Sequence, residues 1–125
     1  MAGVIVLDTT VLVDHLRGLD AARAYLLKLP SVPACSEVTR VELLQGLRHP
    51  ERRATERLMA AIKWIPVDER ISRRAGDLGR RFRRSHADLG IGDLIVAATA
   101  LELDARLATA NVRHFPMFRR LRPPY

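Results

Sequence analysis

The run Val4-Ile5-Val6-Leu7, closed by Asp8, decides how the chain is read. Four apolar residues, mostly β-branched, follow one another without a polar alternate. A strand with one wet face alternates in polarity, whereas a strand covered on both faces does not. The run therefore predicts a strand buried inside a parallel sheet. Asp8 then lies at the carboxyl edge of that sheet, where open α/β sheets carry their sites.

Working outward, Thr9 or Thr10 can cap a helix over 9–17, ended by Gly18. Asp20 can cap a second helix over 21–29, stopped by Pro30. Val32-Pro33-Ala34-Cys35 predicts a second strand, followed by helices over 38–47 and 52–62. Trp64-Ile65-Pro66-Val67 predicts a third strand or its edge, because proline is unwelcome in a central one. Asp68 can cap a long helix over 71–85 whose Ile71, Ala75, Leu78 and Phe82 form one apolar stripe. Gly90-Ile91-Gly92 is read as a break, and 93–103 as a helix apolar enough to be buried. Arg106-Leu107-Ala108-Thr109-Ala110 predicts a fourth strand, and 121–123 a last short one. Strands alternating with helices describe a single three-layer α/β domain over residues 1–125, with a short, mostly parallel central sheet flanked by helices.

Composition narrows the function. The 125 residues are 48% apolar and 28% charged, a globular balance. Cys35 is the single cysteine, which excludes an internal disulfide and favours a reducing compartment. No run reaches the length of a membrane span. The segment Met1 to Asp8 lacks a basic n-region and meets an acid after four apolar residues, so it is not read as a signal peptide. The expected location is the cytoplasm. Net charge is +7. It is unevenly placed: eight basic against seven acidic residues before Lys63, and thirteen against seven from Lys63 onward. All but Lys28 and Lys63 of the basic residues are arginines. Such a chain attracts a polyanion, RNA or DNA, or an acidic protein.

Four residues stand out against that basic background. Asp8 follows the first strand and Asn111 follows the fourth; each has an ordinary role as a turn former. Glu42 sits in Thr39-Arg40-Val41-Glu42, which fits a capping box, but its apolar neighbours Val41, Leu43 and Leu44 make a charge awkward there. Asp93 leads the apolar segment Asp93-Leu94-Ile95-Val96-Ala97, where it can serve the helix dipole or project into a cleft. Taken together, Asp8 and Asn111 leave one sheet edge, with Glu42 and Asp93 at helix starts that can face it. Three converging carboxylates repel unless a cation holds them, and all-oxygen ligands suit Mg²⁺ or Mn²⁺. A basic surface around such a pocket fits phosphodiester hydrolysis.

The segments Val4 to Asp14, Ser36 to Gly46, Gly92 to Leu101 and Leu107 to Phe115 resemble the PIN-domain nucleases, and within them the VapC-type toxins of type II toxin–antitoxin modules. They occur in family order at family spacing. The resemblance implies a PIN fold, a divalent-metal-dependent endoribonuclease acting on RNA, and a homodimer. It also implies neutralisation by a small VapB-like antitoxin in a heterotetramer or larger assembly. Carried over by position, Asp8, Glu42 and Asp93 form the acidic triad and the metal ligands, Asp8 and Asp93 foremost. Thr10 is the hydroxyl beside the first acid, and Asn111 falls where many relatives have a fourth acid and others asparagine; in the nuclease reading Asn111 orients the attacking water. The fourth position is neutral here, so occupancy of a second metal position is open.

Other residues read more quietly. His114 falls where relatives often carry an acid, and is read as structural or substrate-side. Asp88 is read as a loop acid near the site. His15, His49 and His86 are read as surface residues, Cys35 as a small buried hydrophobe, and Trp64 and Phe82 as core. The arginines of 73–84 and the tail 118–125 are each read as either solvated surface or an RNA contact. Two alternatives stand beside the nuclease reading: a non-catalytic PIN-like module that binds nucleic acid or antitoxin, and a nuclease acting on DNA.

Overall fold

A computed structural model describes residues 3–125; Met1 and Ala2, at the start of the segment read above for targeting, lie outside the described residues. The elements run β1 (Ile5–Leu7), α1 (Thr9–Leu16), α2 (Asp20–Leu27), β2 (Ala34–Ser36), α3 (Glu37–Gln45), α4 (Arg52–Ala60), β3 (Lys63–Ile65), α5 (Glu69–Phe82), α6 (Ile91–Glu102) and β4 (Arg106–Ala108). Single 3₁₀ turns cover His49–Glu51 and Val112–His114. The strands form one sheet in the order β3-β2-β1-β4, every pair parallel. The sheet is thus wholly parallel, as the unalternating first run requires.

Burial follows the strand period of two. Val6, Ala34 and Leu107 point into one apolar cluster, which α5 and α6 close with Ile71, Ala75, Leu78, Leu94 and Ala98. Their neighbours Ile5, Leu7, Cys35 and Ala108 point into a second cluster with Val11 and Leu12 of α1, Leu43 of α3 and Met59 of α4. A helical layer therefore covers each face of the sheet, and β1 is buried throughout. β3 is an edge strand, as Pro66 foretold, and it ends at Ile65 before the proline.

Several boundaries differ from the sequence reading. Asp8, not Thr9 or Thr10, occupies the position before α1, and its side chain makes no capping bond; both threonine hydroxyls turn to other carboxylates instead. Asp20 lies inside the first turn of α2 behind Leu19. Ser36 caps α3 by accepting from the Val38 N–H, so Thr39 is an interior residue and no Thr39–Glu42 capping box forms. Ile91 and Gly92 belong to α6, because Gly90 takes the capping position. Residues 121–123 form no strand. Trp64 and Phe82 are half-buried at the rims rather than central, Trp64 lying under the Arg40 guanidinium at 4.2 Å. His15 is half-buried rather than superficial, and its Nδ1 finds no partner among the described residues. Asp68 caps α5 as expected, Oδ1 accepting from the Ile71 N–H at 2.9 Å. Among the described residues no helix is long and apolar enough to cross a membrane.

Cys35 is fully buried, and burial pushes its thiol up to about 12. Since the thiolate is the reactive form, iodoacetamide at pH 8 is expected to leave the native chain unmodified and to label it once denatured.

Candidate active site

The carboxyl edge of the sheet gathers the acids. Asp8 is 4% exposed, and its backbone N–H donates to the Ala108 carbonyl, tying the end of β1 to the end of β4. Thr10 Oγ1 donates to Asp8 Oδ2 at 2.8 Å, and Thr109 Oγ1 donates to the same oxygen at 2.7 Å. Each hydroxyl is itself held: Thr10 Oγ1 accepts from the Ala110 N–H at 3.0 Å, and Thr109 Oγ1 from the Asn111 N–H at 2.9 Å. The two threonines therefore act as relays that fix the carboxylate against the loop after β4. A buried acid needs such donors, since an unpartnered one costs several kcal/mol (about 2–5).

Glu42 approaches from α3. Its Oε1 accepts from Thr9 Oγ1 at 2.7 Å, and Thr39 Oγ1 lies 3.2 Å from the same hydroxyl. Its other oxygen lies over Gly92: a Cβ built there would stand 3.1 Å from Oε2. Glycine at this place leaves room for the carboxylate beside α6. Asp93 sits in the first turn of α6, where Oδ2 accepts from the Gly90 N–H at 3.1 Å. The same Oδ2 lies 3.1 Å from His114 Nδ1, and the far nitrogen of that ring lies 3.3 Å from Asp88 Oδ2. His114 thus spans from Asp93 to a loop acid. Asn111 stands at the same edge; its backbone is engaged by Thr109, and its side chain makes no hydrogen bond to the acids among the described residues.

The electrostatics match the convergence. Glu42, exposed as a residue but with its carboxyl tucked beside Gly92, is raised above its ordinary value, chiefly by that partial desolvation and further by Asp8 and Asp93, against the Thr9 hydrogen bond. Asp93 is raised by burial first, with Asp8 adding to it, while the Gly90 N–H and His114 oppose. Glu42 and Asp93 therefore both feel the Asp8 charge, and the pocket favours anything that supplies positive charge.

Residue pattern alone missed the hydroxyl network. Thr9, Thr39 and Thr109 read as caps or strand residues, and Gly92 as a helix breaker. The available signal was a threonine one residue after the strand, Thr109, with no apolar reason to be fully buried.

The sequence matches a known family model, the PIN domain, over residues 5–121. The chain belongs to the PIN-domain family. Its sequence is 49% identical over 123 residues to "Ribonuclease VapC10" of Mycobacterium tuberculosis, covering 97% of this chain and 92% of that protein. It is 48% identical over 122 residues to "Ribonuclease VapC19" of the same organism, covering 95% and 98%. Among solved structures, a toxin–antitoxin complex from Klebsiella pneumoniae superposes with a TM-score of 0.82 at 27% identity, covering 97% of this chain and 98% of that one. The PIN fold expected from the four quoted segments is the fold observed.

The chemistry of Asp8, Glu42 and Asp93, oxygen donors only, also suits a divalent cation. The protein's hydrogen bonds fall on one oxygen of each: Asp8 Oδ2, Glu42 Oε1 and Asp93 Oδ2. The second oxygens remain as donors of negative charge. Among the described residues no three Asp, Glu, His or Cys side chains close into a cage. Magnesium keeps several waters and needs only one or two carboxylates, so the free oxygens of these acids would suffice to begin a site without a complete protein shell.

A pH experiment isolates Glu42. Its folded value is raised, so the wild-type chain is not penalised below pH ~4, where the carboxyl is protonated in both states. The penalty enters as pH rises from there through the folded value. Glu42→Gln keeps an acceptor for Thr9 and has no charge to desolvate. With chelator present, the melting temperature of Glu42→Gln is expected to gain on wild type between pH 4 and 7. Manganese should shrink or reverse that gain. A difference flat with pH would remove Glu42 from the acidic cluster.

Proposed function

We propose that this chain is the toxin of a type II toxin–antitoxin pair, an Mg²⁺- or Mn²⁺-dependent endoribonuclease neutralised by a VapB-like antitoxin. The observation that carries the reading is the set of Asp8, Glu42 and Asp93 at one sheet edge, each with one oxygen fixed by protein donors and the other left over. The ribonucleases VapC10 and VapC19 support RNA as the substrate, and the Klebsiella complex supports an antitoxin partner.

In this reading Asp8, Glu42 and Asp93 hold the cation. When bound, it polarises the scissile phosphate and favours hydroxide from water at neutral pH. The chain's own residues do the positioning. Thr10 and Thr109 fix the Asp8 carboxylate, Thr9 fixes Glu42, and His114 with the Gly90 N–H fixes Asp93. Asn111 stands at the same edge, where its side-chain amide can orient the attacking water. Arginines supply the positive potential that draws the phosphate backbone to an otherwise acidic pocket. In solution the chain forms a homodimer, and with antitoxin a heterotetramer or larger assembly.

The test is cleavage of cellular RNA by the purified chain with Mg²⁺ or Mn²⁺, repeated with EDTA and with purified antitoxin. Cleavage is expected with metal, is lost with EDTA, returns when metal is restored, and is blocked by antitoxin. Chelator-insensitive RNA binding with no cleavage under either metal would replace the nuclease by a binding module. Cleavage of single-stranded DNA at an equal rate would overturn the choice of RNA.

A further inference from the structure

Ion pairing divides the basic residues behind the net charge of +7, although Arg81, Arg83 and Arg84 at the end of the 73–84 segment also stand in no ion pair among the described residues, so position must decide as well. On α5, Arg70 and Arg74 pair with Glu102, Arg73 with Glu69 and Arg80 with Asp77. These guanidinium groups already have carboxylates. Arg106, Arg113, Arg119, Arg120 and Arg122 stand in no ion pair among the described residues, and all five are exposed.

Four of the five share one cavity. Arg106, Arg119, Arg120 and Arg122 line a hollow of about 510 Å³ beside the edge strand β4, floored by Phe118 and Leu121, with no acidic residue in its wall. A second hollow of about 470 Å³ shares Phe118, Arg119 and Leu121 with the first and reaches Arg113 and Asp88. Asp88 is the acid on the outer nitrogen of His114, whose inner nitrogen meets Asp93. The two hollows therefore adjoin as one trough, which borders Asp88, one imidazole away from Asp93, and ends among arginines that stand in no ion pair among the described residues. Arg83, just past the end of α5, borders instead a mainly apolar cleft between α5 and α6 that shares no lining residue with the trough.

We propose that this trough carries the RNA strand flanking the scissile phosphate, with Arg113, Arg119 and the Arg106–Arg120–Arg122 group on successive phosphates. The inference rests on the ribonuclease reading and adds the surface that reading lacks. Unpaired guanidinium groups bind phosphate without first breaking an ion pair, and their planar fork matches its oxygens. The half-buried Phe118 gives a base an apolar surface, in the manner of single-strand binders. A strand seated here enters the acidic pocket from the arginine side, so attraction along the trough offsets repulsion at its end.

The test uses the Asp8→Asn chain, so that RNA is bound but not cut, and a fluorescein-labelled 12-nucleotide single-stranded RNA read by anisotropy across salt. Arg119→Gln with Arg122→Gln is expected to weaken binding roughly tenfold and to lower the slope of log K against log salt by roughly 1.4, two phosphates at about 0.7 each. Arg73→Gln with Arg74→Gln removes the same charge from α5 and is expected to change affinity less than about twofold. In the active chain the trough pair should raise KM and leave kcat unaltered. Equal weakening by both pairs would reduce the trough to net charge and overturn the proposal. So would unchanged RNA binding by the trough pair, and if antitoxin affinity fell instead, the trough would belong to a protein partner. Failure of the ribonuclease reading shows elsewhere, as a wild-type chain that cuts no RNA with metal while these binding differences persist.

Discussion

An Asp8→Asn chain folds, binds RNA and does not cut it. Asp8 is the most enclosed of the three acids, and both hydroxyls that reach it converge on a single oxygen. In the variant the amide oxygen takes the place of Oδ2 and keeps Thr10 and Thr109 satisfied. The amide nitrogen then points where a cation would be held, replacing a negative ligand with a neutral donor. Electrostatic stabilisation by a bound metal is worth several kcal/mol of the barrier. Its loss is expected to lower the rate by about 10³-fold or more. Stability should not suffer, because one of three mutually repelling charges is removed. The melting temperature without metal is expected to stay level or rise, and the stabilisation that Mn²⁺ gives the wild type should disappear. Cleavage within tenfold of wild type would overturn the mechanism.

The second large effect is structural. Phe115→Ala is expected to lower stability by about 3–5 kcal/mol, as for other buried aromatics. Phe115 is 1% exposed, lies in the cluster closed by α5 and α6, and has Phe118 with ring centroids at 6.5 Å. Against a total of roughly 5–15 kcal/mol this is a large share, and it should move the melting temperature by roughly 10–20 °C. Phe115→Leu refills most of the volume and should cost much less. The Ala variant should also lose activity before it loses its fold, because His114 is the preceding residue and holds Asp93. A shift of only a few degrees would show that the segment after β4 is not part of the core.

These two residues illustrate what could be read in advance. Asp8 was legible because a β-branched run fixes a buried strand and so fixes its edge. Glu42 and Asp93 were legible as charges set among apolar neighbours, although the helix around Glu42 begins at Glu37 and owes its cap to Ser36. Family order then joined the three. Burial of Phe115 was not legible, since Val112-Arg113-His114-Phe115 has no helical or strand period to assign a face. The threonine relays escaped for a different reason. A hydroxyl near a strand end satisfies a turn, a cap or a distant carboxylate equally well, and only the fold brings residues 10 and 109 to the same oxygen. The two basic segments, 73–84 and 118–125, were indistinguishable as sequence; pairing with Glu69, Asp77 and Glu102 sets Arg73, Arg74 and Arg80 apart from the tail arginines, and leaves Arg81, Arg83 and Arg84 unpaired among the described residues.

The contact between Thr109 and Asp8 joins positions 101 residues apart. Synthesis delivers Asp8 first and Thr109 a hundred residues later. Until β4 is laid beside β1, the nascent chain has neither the hydroxyl that fixes the first acid nor His114 to hold the third. A polypeptide ending before Arg106 carries all three acids and no assembled pocket. The laying of β4 beside β1 is thus the event that completes the pocket, so the site is a product of tertiary folding and not of any local segment.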